Sequence, residues 1–196
     1  MEVTTLSYLN LHNHGQLFAN MFRARHRTFI ENAKWDLPQA DGMEFDQYDT
    51  PASRWVAVHR HGEVLAGVRL TPTTHRCGIY SYMIRDAQLG LLPTIPVNLL
   101  DFEAPVDPHV WESSRVFVSD QVPAKERMHV QMQLIHEMVI SARELGAITL
   151  LGIIPENGAR LARRVGLDCR PAGPVLDMGA ESRSVCVSIS MATKLH

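Results

Sequence analysis

Two ionic residues, Glu112 and Arg115, stand inside VWESSRVFVSD, a run whose Val110, Val116, Phe117 and Val118 suit a buried strand. A buried charge without a partner is expensive, so each must lie at a sheet edge, pair with another charge, or belong to a site. In a site, a carboxylate can take a proton and a guanidinium can hold an anion. On a regular strand a spacing of three points the two side chains to opposite faces. A bulge would re-aim one of them and expose backbone amides beside it.

Other chemistry-bearing residues lead to less. Of ten histidines, His12 with His14 and His59 with His61 are the closest pairs, but no acidic or thiolate cluster completes a site and no metal is expected. Cys77, Cys169 and Cys186 are odd in number and lack CxxC spacing, which argues against a disulfide framework or a thiolate zinc site. The 196 residues, 45% hydrophobic and 20% charged, are enough for one sizeable core, and residues 1–196 read as a single domain. A net charge of -2 gives no global attraction to nucleic acid or anionic membrane. The N-terminus MEVTTLSYLNLHNH lacks the basic region and apolar run of a signal peptide, and no segment approaches the ~18 apolar residues of a membrane span. A cytoplasmic location is the expectation.

The elements that must position these residues read as α/β. An amphipathic helix is expected from about Gly15 to Glu31, carrying Leu17, Met21, Phe22, Arg25, Phe29 and Ile30. NAKWDLPQADGMEFDQYDTPAS follows as a long ordered loop, a length that is often functional, here as a lid. RWVAVHR and VLAGVRLTP form a hairpin about a turn containing Gly62, with Arg69 near the end of its second strand. Short helices are compatible with 71–107. The strongest helix is Lys125 to Leu145, with Met128, Met132, Ile135, Met138, Val139 and Ala142 on one flank and Gly146 as its stop. AITLLGII reads as a buried strand, PENGARLARRVG as a short helix begun by Pro155, and SVCVSISMA as a last strand. Together these predict a mixed central sheet with helices on both faces.

Arg25, Phe29, Trp35, the EFDQYD segment with Asp46 and Asp49, Arg69, and WESSR with Glu112 and Arg115 resemble, in order and approximate spacing, the hallmark residues of the LuxI-type acyl-homoserine-lactone synthases. The resemblance runs from about Met21 to Leu167. It implies a GNAT-like acyltransferase architecture and transfer of an acyl group from a carrier thioester to the amine of S-adenosylmethionine. Lactone closure then expels methylthioadenosine and yields a quorum-sensing signal. S-adenosylmethionine is a substrate here, and no cofactor is expected. The rival reading is an N-acyltransferase of the same scaffold acylating another amine, such as a free amino acid.

Within that resemblance Glu112 is the candidate base, directly or through a water, or else a member of a structural ion pair. Arg25, Asp46, Asp49, Arg69 and Arg115 form a charge network that locks the long loop, or hold the carboxylate and cationic groups of S-adenosylmethionine. Trp35 and Phe29 cover the substrate or belong to the core. Arg160, Arg163 and Arg164 dock an acidic carrier protein or form a solvated face. VPAKERMHVQ has no glycine-rich loop for a coenzyme A pyrophosphate, so acyl carrier protein is the expected donor, with acyl-CoA as the alternative. In IYSYMIRDAQLG, Gln88 stands near a place where the family often has an aromatic, which implies a different acyl pocket. Methionines of the long helix and the small residues of SVCVSISMA line an acyl tunnel or fill an ordinary core.

Overall fold

The hairpin anticipated around Gly62 is the part of the fold that local chemistry dictates most directly. In the computed structural model, which describes residues 1–177 and 183–192, β4 (Arg54–Arg60) pairs antiparallel with β5 (Glu63–Pro72). Their two-residue connection has positive φ at both His61 and Gly62, the turn whose twist matches that of paired strands. Before the hairpin come β1 (Glu2–Leu6), α1 (Leu11–Arg25), a π-helical segment (His26–Asn32), and the small hairpin of β2 (Gln39–Ala40) and β3 (Met43–Glu44). After it come α2 (Met83–Gln88), β6 (Val110–Val118), α3 (Ala124–Glu144), β7 (Thr149–Pro155), α4 (Gly158–Arg164), β8 (Asp168–Asp177) and β9 (Arg183–Ser190). Seven of these strands form one mixed sheet, in the order β1-β4-β5-β6-β7-β9-β8.

The chain divides into two compact units. The first holds Met1–Leu70 and Arg115–Ser141. Its core gathers Leu17, Phe18, Met21 and Phe22 of α1 with Phe29, Trp55, Ala57, Val64 and Phe117. Phe18, Phe22 and Trp55 pack with ring centroids 5.0 to 5.9 Å apart. Gly67 of β5 makes this packing possible. A Cβ there would lie 2.5 Å from the Met21 methyl and 2.8 Å from the Phe117 ring.

The second unit holds Thr71–Ser114 and the chain from Ala142 onward. Here β6 runs parallel to β7 from Val110↔Thr149 to Ser113↔Gly152, and β9 lies antiparallel between β7 and β8. Tyr82, Ile84, Ala87, Leu99, Leu100 and Leu151 build its core with Cys186. Gly173 sits where β8 shifts register, and a Cβ there would lie 2.1 Å from the Leu99 carbonyl oxygen.

Three details depart from the expectations above. Pro155 ends β7 rather than starting the following helix, which begins at Gly158. The buried stripe of α3 runs through Val130, Leu134, Met138 and Ala142, the i, i+4 row, whereas Met128 is 56% exposed. The sequence reading also omitted both edge strands, β1 and β8. The anticipated stop at Gly146 holds: it takes positive φ, and the amide of Ala147 bonds back to the carbonyl of Ala142.

Candidate active site

The backbone of β6 resolves the conflict between its two charges. Just past the end of β5, Thr73 donates its amide to the carbonyl of Val110, and just past the end of β6 the amide of Ser119 bonds the carbonyl of Leu65. Eight residue steps along β5 and its exit, from Leu65 to Thr73, are thus matched by nine along β6 and its exit, from Val110 to Ser119. The extra residue makes a bulge, and Arg115 marks it with φ of 53°, a left-handed conformation costly for a residue with a side chain. Arg115 is thereby turned to pair with carboxylates in the first unit, while Glu112 stays in register within the second.

In the first unit three guanidiniums meet three carboxylates. Arg25, at the end of α1 and fully buried, bonds Asp49 with both terminal nitrogens at 2.6 and 2.8 Å and Glu44 through Nε at 2.6 Å. Arg69 reaches Asp46 and, at 3.0 Å, Asp49. Arg115 reaches Asp46 at 2.8 Å and Glu44 at 3.2 Å. Further donors fix the carboxylates: the Asp46 amide and the Trp55 indole on Asp49, and the Tyr48 amide on Asp46. Burial pushes the Asp49 carboxyl up, but the guanidiniums of Arg69 and Arg25 outweigh it and hold the group well below the usual carboxylate range. Burial likewise works against the Arg25 charge, and Asp49 more than restores it.

This network ties α1, the 44–49 segment, β5 and β6 together. Asp46 and Asp49 are spent on arginines, so the geometry favours the locking role over direct contact with a substrate cation. Glu44, missed in the sequence although it opens EFDQYD, is fully buried and brings the carboxylates into balance with the arginines.

The two aromatics separate. Phe29, in the π-helical segment, is buried against the edge of Phe117, with the Arg115 guanidinium 5.7 Å from its centroid. Trp35 stacks on Phe29 at 5.0 Å and 19°, yet remains 46% exposed. Phe29 is therefore a buried support, and Trp35 is left partly exposed beside it.

In the second unit Glu112 is fully buried. Its carboxylate accepts the amides of Ile84 at 2.7 Å and Met83 at 3.3 Å, the first residues of α2. The carboxylate thus anchors α2. Burial and the Glu112 charge raise the Tyr82 hydroxyl above its ordinary range and push the Cys186 thiol up to about 12. Both neighbours stay neutral near pH 7. Gln88 clips α2 to the following chain through the Phe102 carbonyl and the Ala104 amide, each at 2.7 Å. Arg160, Arg163 and Arg164 are exposed on α4.

Known proteins share this chain's sequence and fold. The sequence profile of the autoinducer synthases matches residues 8–189. An acyl-homoserine-lactone synthase of Ralstonia solanacearum is 30% identical over 167 residues, covering 83% of this chain and 76% of its own. One from Acinetobacter nosocomialis is 27% identical, covering 87% and 91%. Among solved structures, TofI in a ternary complex with an inhibitor and MTA superposes with a TM-score of 0.76 at 27% identity, covering 97% of this chain and 92% of TofI. The acyl-homoserine-lactone synthase LasI gives 0.79 at 25%, covering 99% and 91%. An acyl-CoA N-acyltransferase from Pseudomonas aeruginosa, 15% identical with a TM-score of 0.58, shares the fold. With its hallmark residues in place and the match spanning nearly its whole length, the chain belongs to the autoinducer synthase family.

Proposed function

We infer that the chain is an acyl-homoserine-lactone synthase, which transfers an acyl group from a thioester to the amine of S-adenosylmethionine and closes the product to a lactone. The observation that carries the mechanism is Glu112, a fully buried carboxylate held by two amides in a chain of this family. The ammonium of S-adenosylmethionine must lose a proton before it can attack, and Glu112 accepts it. The amine then bonds to the thioester carbonyl carbon and the thiol leaves. The backbone at the β6 bulge supplies amide donors for the oxyanion. The substrate carboxylate next attacks the carbon beside the sulfonium, forming the ring C–O bond as the C–S bond breaks and methylthioadenosine departs. The partly exposed Trp35 meets the substrate sulfonium, a cation that an indole attracts. The buried arginines and carboxylates keep the 44–49 segment fixed while this happens.

Acyl carrier protein is the donor in this reading. Support comes from the absence of a glycine-rich turn before α3 and from the exposed arginines of α4, which suit an acidic partner. The coenzyme A-dependent synthase BjaI has the same fold at 22% identity, so the fold does not choose the donor. Purified protein given S-adenosylmethionine with a panel of acyl carrier protein and coenzyme A thioesters should yield acyl-homoserine lactones by mass, fastest with the carrier protein. An acylated free amino acid with intact S-adenosylmethionine would favour the rival acyltransferase.

A further inference from the structure

Thr71 is a buried residue, 1% exposed, whose hydroxyl has no hydrogen-bond partner among the described residues. A buried hydroxyl left unpaired is destabilising, so its position calls for an explanation. Register supplies one. From the pair formed by Thr73 and Val110, two steps back along β5 and two forward along β6 set Thr71 directly opposite Glu112, on the same face of the sheet. Cross-strand neighbours of this kind have Cβ atoms about 5 Å apart. The Arg115 bulge lies beyond Glu112 and leaves this register intact. The hydroxyl makes no direct bond to the carboxylate, which accepts the Met83 and Ile84 amides.

We propose that Thr71 is a positioning residue for proton transfer: its hydroxyl and the Glu112 carboxylate hold one water between them, and the proton leaving the acceptor ammonium passes through that water to Glu112. The water takes a proton from nitrogen as it gives one to the carboxylate, so the amine gains its free lone pair and Thr71 remains unchanged. Of the other titratable groups against Glu112, Tyr82 and Cys186 are held neutral and do not compete for the proton. The inference rests on the reading of Glu112 as proton acceptor.

The test measures methylthioadenosine release, its pH profile and thermal unfolding for Thr71→Val, Thr71→Ser and Glu112→Gln side by side. Thr71→Val should lower kcat at least about tenfold with KM for S-adenosylmethionine little changed, as expected when a proton path is impaired. Its Tm should change little, because the hydroxyl bonds no protein group among the described residues, and Thr71→Ser should restore most of the rate. Wild-type turnover in Thr71→Val with Glu112→Gln inactive would overturn the role of Thr71 alone. Wild-type turnover in Glu112→Gln would remove the base and this inference with it. A fall in Tm matching the loss of rate in Thr71→Val would make the hydroxyl a structural donor and overturn the proposal.

Discussion

At the scale of single residues, the site depends on the contrast between charges that hold the fold and groups left open for ligand. Asp49 belongs to the first kind. Asp49→Asn removes one partner from a buried network, and a loss of about 3 to 5 kcal/mol in urea unfolding is expected at neutral pH. Because its folded value is depressed, its contribution is complete well above the ordinary value of 3.8 and is lost as pH falls below that toward the folded value. The wild type should therefore lose stability steeply in acid, and the Asn variant along a shallower curve. Trp35, partly exposed, is proposed to belong to the second kind. Trp35→Ala should weaken binding of S-adenosylmethionine or methylthioadenosine, seen by calorimetry, while costing much less than the ~3 to 5 kcal/mol of a buried core aromatic. Residue types announced most of this set. Glu44 was concealed because the sequence does not say which carboxylates of an acidic segment turn inward, and Thr71 because a hydroxyl in a β-rich run looks like propensity alone.

At the scale of elements, one extra residue in β6 decides how its charges are used. A bulge leaves little trace in composition, and the parity conflict between Glu112 and Arg115 was the only sign of it. The edge strands were hidden for different reasons. β8 carries Pro171, Gly173 and Pro174, residues that read as a turn and are tolerated only where the outer edge needs no partner. β1 is only five residues long. Central elements were legible because both faces of β4 and β5 are buried and because Gly146 stands just past α3. Gly67 shows how closely these elements approach. Gly67→Ala should destabilise the protein by about 1 to 3 kcal/mol, measured by chemical unfolding, since the Phe117 ring has little freedom to yield.

At the scale of the whole molecule, no helix among the described residues is long and apolar enough to cross a membrane, and the family assignment rests on motifs spread along most of the chain. In the proposed reading, the choice of donor is a matter of surface charge. Reversing Arg160, Arg163 and Arg164 to Glu should raise KM for an acyl carrier protein thioester more than for a small thioester. Added salt should have the same selective effect, because attraction between exposed charges is screened over ~8 to 10 Å at moderate ionic strength. Acyl transfer to S-adenosylmethionine with ring closure is the central claim, and a single-turnover experiment tests it most directly. Enzyme in excess over S-adenosylmethionine, mixed with an acyl carrier protein thioester and quenched over time, should release methylthioadenosine and acyl-homoserine lactone in equal amounts. Thioester consumption with S-adenosylmethionine left intact would contradict it.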